Sequence, residues 1–166
     1  MKKLLLQACC GPCATYALEV LSQKYQVTVF FWGSNIHPRE EYDRRLEAIK
    51  KVSPQAIIVP YNKTEFLNAI KGLENEPEGG ARCARCFELR LRATAEYAKA
   101  HGFDYFASSL TISPHKDIAL INKIGTQFEK YLPTDFRAGF QKSIELSKKL
   151  GIYRQNYCGC TPRLLS

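Results

Sequence analysis

Seven cysteines in three tight groups, Cys9/Cys10/Cys13, Cys83/Cys86 and Cys158/Cys160, are the residues of this 166-residue chain whose type and spacing could do chemistry. Structural cysteines behave as small buried hydrophobes and scatter singly. Thiols paired at close spacings, with the pairs far apart in sequence, describe instead a metal or redox site assembled by the fold. The densest group stands in Ala8-Cys9-Cys10-Gly11-Pro12-Cys13, after the apolar run Leu4-Leu5-Leu6 and before a helical pattern that begins near Ala14. A helix N-terminus carries unpaired N–H groups and partial positive charge, which favour thiolate over thiol. Thiols crowded into a strand-to-helix turn therefore suit metal binding or redox chemistry better than core filling.

The elements that must position these groups follow from hydrophobic patterning. Leu4 to Ala8 reads as a fully buried strand, and Ala14 to Lys24 as a helix with Tyr16, Ala17, Val20 and Leu21 on its apolar stripe. Val27 to Trp32 is a second buried strand, followed by a charged helix from Arg39 to Lys51 that Pro38 helps to start. A third strand is expected over Ala56 to Val59, a short helix over Lys63 to Lys71, and a loop over the acidic, Pro- and Gly-containing stretch Glu74 to Gly80. Cys83 and Cys86 open a helix that runs to about Ala100 and is stopped by His101-Gly102. Phe103 to Ser108 is a fourth strand, and helices over Lys116 to Lys130 and Gly139 to Leu150 precede the cysteine-bearing tail. Strand and helix alternate without hairpin signals, which predicts an α/β fold: a parallel sheet with helices on both faces, in a single domain over residues 1–166. Ligands in such sheets gather beyond the carboxyl ends of the strands. The first cysteine group and the segment Ser108 to His115 both fall on that edge.

Composition bounds the rest. An apolar content of 45% and a charged content of 24% are those of a soluble globular protein. No apolar run approaches the roughly 18 residues of a membrane span. The start Met1-Lys2-Lys3-Leu4-Leu5-Leu6 imitates a signal peptide, but Gln7 and the cysteines interrupt it, so a cytoplasmic protein without a membrane partner is expected. In that compartment an odd number of cysteines argues against a disulfide framework. The net charge of +8 is compatible with an RNA partner and with many others.

Three readings of the cysteines compete. Cys10-Gly11-Pro12-Cys13 matches the active-site motif of thioredoxin-like thiol–disulfide oxidoreductases. That fold, however, needs antiparallel strands, and the reading leaves Cys83, Cys86, Cys158 and Cys160 without a task. Those four could instead form a structural zinc tetrahedron, as in a zinc-stabilised RNA-binding domain, which leaves three thiols unexplained at the first turn. An iron–sulfur enzyme uses them all: one cubane takes four thiolates and the remainder can hold a second metal or form a redox pair. The adjacency of Cys9 and Cys10 makes sense between two neighbouring centres.

Four blocks in order along the chain carry a family resemblance. They are Cys9-Cys10-Gly11-Pro12-Cys13, Arg82-Cys83-x2-Cys86-Phe87-x2-Arg90-Leu91, Ser108-Ser109-Leu110-Thr111-Ile112-Ser113-Pro114-His115-Lys116-Asp117, and Tyr153-Arg154-Gln155-x-Tyr157-Cys158-Gly159-Cys160. Together they resemble the QueH family of epoxyqueuosine reductases. The resemblance implies cobalamin-independent reductive removal of the epoxide oxygen from epoxyqueuosine in a tRNA anticodon loop, giving queuosine. It also implies a Rossmann-like fold of the adenine-nucleotide α-hydrolase type, a [4Fe–4S] cluster, a nearby mononuclear iron and an external electron donor.

Within that frame Cys10, Cys83 and Cys86 are expected as cluster ligands and Cys9 and Cys13 nearer the second metal. Cys158 and Cys160 complete either site or cycle between dithiol and disulfide. Asp117 is a candidate proton donor or a helix-capping carboxylate, and His37 and His115 are candidate acids or ligands, or simply solvated. Arg82, Arg85 and Arg154 are expected to hold phosphates of the anticodon stem-loop, with Arg90 and Arg92 either joining them or lying on a solvated helix face. Tyr157, Tyr153 and Trp32 could stack on an unpaired base, although Trp32 at a strand end also suits the core.

Overall fold

The computed structural model describes residues 1–161. Its centre is β1 (Lys2–Ala8), whose Leu4 to Ala8 are all buried. It pairs in parallel with β2 (Tyr25–Phe31) on one side and β4 (Tyr105–Ser108) on the other; β3 (Ile57–Ile58) adds to β2, giving the order β3-β2-β1-β4. Side chains alternate across a strand, and the alternation divides the core. Leu5, Phe30 and Phe106 face α3 (Lys63–Ala69), α4 (Ala81–Ala100) and α5 (Ile118–Gly125). Leu4, Leu6, Ala8, Val29, Phe31 and Ala107 face α1 (Gly11–Leu21) and α2 (Arg39–Val52) on the opposite side. α6 (Phe140–Leu150) packs on α1. The expected α/β architecture, a parallel sheet flanked by helices, is the observed one. All ladder pairings among the described residues are parallel, which leaves no place for the antiparallel strands of a thioredoxin-like domain. No helix among them is long and apolar enough to cross a membrane.

Three local differences from the expected elements have physical causes. α1 begins at Gly11 rather than Ala14, because Pro12 fits the first turn, where no N–H is needed. α5 stops at Gly125 instead of running to Lys130. The chain turns back there so that Tyr131 can lie beside Phe106 in a parallel bridge, with Phe106 N donating to Lys130 O at 3.0 Å and Leu132 N donating to Phe106 O at 2.8 Å. The Tyr131 ring covers Gly125 so closely that a Cβ there would lie 2.3 Å from it. Finally, Ser109–Ile112 form a 3-10 turn after β4; the Ser108 hydroxyl accepts from Leu110 N and donates to Gln7 Oε1 at 2.7 Å.

The turn between β1 and α1 is held against α2 by a close approach at Gly11. A Cβ on that residue would stand 2.9 Å from the Cβ of Ala48 and 3.1 Å from its carbonyl carbon. Gly11→Ala should therefore push α1 from α2 and lower the unfolding free energy by about 1–3 kcal/mol, the usual cost of overpacking. Urea unfolding measures this, and an unchanged midpoint would show that the two helices have room to spare.

Candidate functional site

The carboxyl edge of the sheet gathers the thiols. Cys9 and Cys10 leave β1 there, Cys10 in extended conformation immediately before α1, with Cys13 in that helix's first turn. Cys83 and Cys86 stand in the first turns of α4, and Cys158 and Cys160 arrive on the tail after α6. Cys9 and Cys86 belong to one buried cluster, against which Cys83 and Cys160 pack. The Cys9 thiol is hydrogen bonded to that of Cys10, and the Cys10 thiol to that of Cys13. Cys86 Sγ accepts from Arg90 Nε at 3.2 Å, and Cys9 and Cys158 also lie within the electrostatic reach of that guanidinium. Cys83 Sγ accepts from Gly79 N at 3.2 Å, and Cys158 Sγ from Cys160 N at 3.4 Å. Charge interactions thus group Cys9, Cys86, Cys158 and Cys160 around Arg90, and hydrogen bonding pairs Cys10 with Cys13 at the start of α1. The Cys9–Cys10 hydrogen bond joins them.

Hydrogen bonding between thiols and burial together set the protonation of this group. The hydrogen bond to Cys10, followed by burial, pushes Cys9 well up, and the bond to Cys13 leads in pushing Cys10 up to about 12. Burial raises Cys86 and lifts Cys160 to about 12. Arg90 works against these shifts on Cys9, Cys86 and Cys160, while the thiols raise the affinity of Arg90 for its own proton. Buried thiols beside one guanidinium are donors that exchange protons for a soft metal. Among the described residues no three His, Cys, Asp or Glu side chains stand in a ready-made grip on a metal ion. The surroundings nevertheless suit one. Arg90 is buried with Nη1 unpartnered, and Gln7 Nε2, Asn35 Nδ2 and Oδ1, His37 Nε2 and Ser109 Oγ are buried without hydrogen-bond partners, all from segments at or beyond this edge except Arg90 on α4. Buried polar groups are nearly always paired, so such a concentration marks a place built to meet something else.

A cavity of about 600 Å³ opens over Cys9, Cys10, Cys13 and Cys158. Its other walls include Ser113, His115 and Lys116 from beyond β4, Phe140 and Ser143 from α6, and Arg154 to Tyr157 from the tail. A more open groove of about 560 Å³ between α1, the end of α2 and α6 is lined by no thiol and no histidine.

The tail is held by two residues of α2 that sequence reasoning passed over. Arg45, 1% exposed, donates through Nη1 to Cys158 O at 3.0 Å, through Nη2 to Tyr157 O at 2.9 Å and through Nε to Glu41 Oε1 at 2.9 Å. Glu41 also accepts from the Tyr153 hydroxyl, at 2.9 Å on Oε1 and 2.7 Å on Oε2. The signal was present: Tyr42, Arg45 and Ile49 recur at helical spacing, so Arg45 lies on the buried stripe of an otherwise charged helix.

Among the remaining candidates, Arg154 is exposed at the cavity rim, and Tyr157, half-buried, donates its hydroxyl to His37 O. Arg85 is exposed and 3.6 Å from Glu88, and Arg92, also exposed, bonds Glu88 at 2.7 Å. Arg82 is buried and spends Nη1 on the carbonyls of Glu74 and Glu76, which tethers the acidic loop next to Cys83. Arg90, for which a solvated helix face was one reading, is buried against the thiols because α4 turns that face to the site. Asp117 Oδ1 accepts from Leu120 N at 3.0 Å and caps α5, outside the cavity lining. Trp32 is buried in the core. His115 is exposed on the cavity wall.

Fold and site together define a class: parallel α/β proteins in which thiols gather at the carboxyl edge of the sheet beside an open cavity. A family model described as "Epoxyqueuosine reductase QueH" matches residues 4–162. Curated relatives of that name from Streptococcus pyogenes serotype M1, Staphylococcus epidermidis and Staphylococcus aureus are 44%, 42% and 41% identical to this chain, in each case over 95% of it. The matches cover 68%, 74% and 74% of those relatives. The chain belongs to the QueH family of epoxyqueuosine reductases.

His37, on the loop beneath the tail, generates a pH prediction. The Tyr61 hydroxyl donates to Ile36 O at 2.8 Å and so accepts from His37 Nδ1 at 3.2 Å, which leaves Nε2 bare. Burial, helped by the charge of Lys63, lowers this histidine from its ordinary 6.5 to about 4. Between those values the unfolded chain binds a proton that the folded chain refuses, so stability is full above the upper value and falls as pH falls towards the lower. The loss is about 2 kcal/mol. Urea unfolding at about pH 7 and about pH 4.5 should show it, and His37→Asn, whose amide can still reach Tyr61, should remove it. An equal acid loss in both chains would mean that His37 is charged at no cost in the fold.

Proposed function

We propose that this chain reduces the epoxide of epoxyqueuosine in the anticodon loop of tRNA, giving queuosine in the cytoplasm with electrons from an external donor. The observation that carries the reading is the meeting, in a QueH-family chain, of three separate thiol groups at one sheet edge beside a cavity rimmed by Arg154 and Lys116. Converting an epoxide to an alkene takes two electrons and two protons and releases the oxygen as water. Side chains that only titrate cannot supply those electrons. The donor chemistry of the site is that of soft metals and clusters, and the all-parallel order β3-β2-β1-β4 supports the Rossmann-like, adenine-nucleotide α-hydrolase type of fold.

Cys9, Cys86, Cys158 and Cys160, which share the field of Arg90, are the set assigned to a [4Fe–4S] cluster, and Cys10 and Cys13 are assigned to a mononuclear iron. This division follows the charge interactions among the thiols, and it differs from the one expected within the family resemblance, which placed Cys10 with Cys83 and Cys86. Cys83, turned to the Gly79 amide, is the remaining donor beside the first set. When bound, these centres would supply one-electron transfer and Lewis acidity towards the epoxide oxygen.

The protein's own part is positioning and charge. Arg90 offsets the negative charge of the thiolates from within the core. Arg154 and Lys116, with Arg85 further out on α4, supply positive charge for the phosphates of the anticodon loop. The Tyr157 ring stands in the cavity wall, fixed by its hydroxyl bond to His37 O, where a base turned out of the loop could stack. Lys116 and His115 stand on that wall with exchangeable protons, and we place proton delivery with them and leave Asp117 to its helix.

Protein prepared without oxygen should be brown and contain iron and acid-labile sulfide. Cys86→Ser should lose iron and lower turnover on epoxyqueuosine-containing tRNA by about 100-fold or more, since even outer residues of metal sites cost 10–100-fold. A colourless protein carrying only zinc after anaerobic reconstitution would sink the reductase reading. Arg154→Ala should weaken tRNA binding and reduce the slope of log K against log salt concentration by about 1, measured by filter binding. An unchanged slope would remove Arg154 from the phosphate contacts.

A further inference from the structure

The tail that brings Cys158 and Cys160 to the site has no helix or strand of its own from Gly151 to Thr161. We propose that Arg45 is a positioning residue for the site: it sets the register of the tail and thereby seats Cys158 and Cys160 against Cys86 and Cys9. This rests on the reading of those thiols as one metal-holding set.

All three nitrogens of the guanidinium are used within the protein. Two bond the successive carbonyls of Tyr157 and Cys158, and the third bonds Glu41. A planar fork that meets two adjacent carbonyls fixes both position and orientation of the peptide between them, which a lysine's point charge cannot do. That peptide is the one leading into Cys158.

The tail is shaped to the fork. Gly159 has φ +105, and a Cβ on it would lie 2.9 Å from Arg45 Nη1, so the chain can pass over the guanidinium only as glycine. Gly159 O accepts from His37 N at 2.7 Å, the Tyr157 hydroxyl bonds His37 O, and the Tyr157 ring lies 5.3 Å from the Arg45 guanidinium carbon. Glu41 holds Arg45 on one side and the Tyr153 hydroxyl on the other, so a single carboxylate ties both the start of the tail and its cysteine turn to α2. Burying an ion pair yields little net stability. Its use here is to hold a segment that lacks backbone ladders of its own.

The test uses the full chain, purified without oxygen. Trypsin cleavage after the exposed Arg154 is followed by mass spectrometry, with cleavage after the exposed Lys71 as an internal reference and iron per chain measured on the same samples. Arg45→Lys keeps the charge beside Glu41, and Gly159→Ala disturbs the same contact from the tail without touching α2. Both should speed cleavage after Arg154 by about 10-fold or more, because proteolysis tracks the opened population, leave the Lys71 reference unchanged, and lower the iron content. Should Arg45→Lys speed both cleavages, it has loosened the fold as a whole, and Gly159→Ala decides. Cleavage after Arg154 that stays within about twofold of the parent in Gly159→Ala would overturn the proposal. So would a released tail with undiminished iron. Iron absent from the parent as well would defeat the metal-holding reading, with the tail contact then judged on cleavage alone.

Discussion

Every strand of a parallel sheet ends on the same edge, and a central strand buried on both faces has no other place to deliver a reactive group. β1 is such a strand: its neighbours are parallel on both sides and its last five residues are buried. The turn that follows is the place such a sheet offers for chemistry, and what the chain places there is Cys9 and Cys10. The rest of the site is arranged around that fixed point. α1 holds Cys13 beside Cys10 in its first turn, α4 presents Cys86 and Arg90, and the tail brings Cys158 to the same cavity from α6.

Gathering thiols in a buried place raises an electrostatic difficulty. Each thiolate added makes its neighbours harder to ionise, and burial removes the water that would offset the charge. The chain meets this with two buried arginines of different function. Arg90 points at sulfur and lowers the cost of negative charge among Cys9, Cys86 and Cys158. Arg45 points at backbone carbonyls and is neutralised by Glu41, so its main effect is geometric. One arginine conditions the donors, and the other brings two of them into place.

The sequence made the architecture legible because the signals were local. Apolar runs such as Leu4-Leu5-Leu6 and Val27-Thr28-Val29-Phe30-Phe31 are strands under almost any tertiary arrangement, and alternation with helices leaves parallel pairing as the natural outcome. Helix ends were less legible. α5 is shortened by the contact between Gly125 and the Tyr131 ring, a pair set by where the chain returns beside β4. Within the site the cysteine set stood out by composition and spacing, but the neighbourhoods did not, since Cys9 and Cys10 are adjacent in sequence and only the exit angle from β1 decides which thiol meets α4. The arginines were the hardest to read. Arg45 and Arg90 look like surface charges until the apolar stripe of each helix is traced through them, whereas Arg82 looks available to a phosphate and is spent on its own loop.

The Cys10-Gly11-Pro12-Cys13 motif shows how the same four residues change meaning with their setting. An attacking thiol that exchanges with protein disulfides must be reachable and readily ionised. Cys10 is 1% exposed, hydrogen bonded to Cys13 on one side and to Cys9 on the other, and held up at about 12. The bond to Cys13 and burial hold it up, while the bond from Cys9 works the other way. Gly11 and Pro12 keep the roles they have in any such turn, close packing on α2 and a clean helix start. What differs is that the thiols of the helix start are bonded to one another and to Cys9. A motif that elsewhere meets protein disulfides here forms one wall of a cavity.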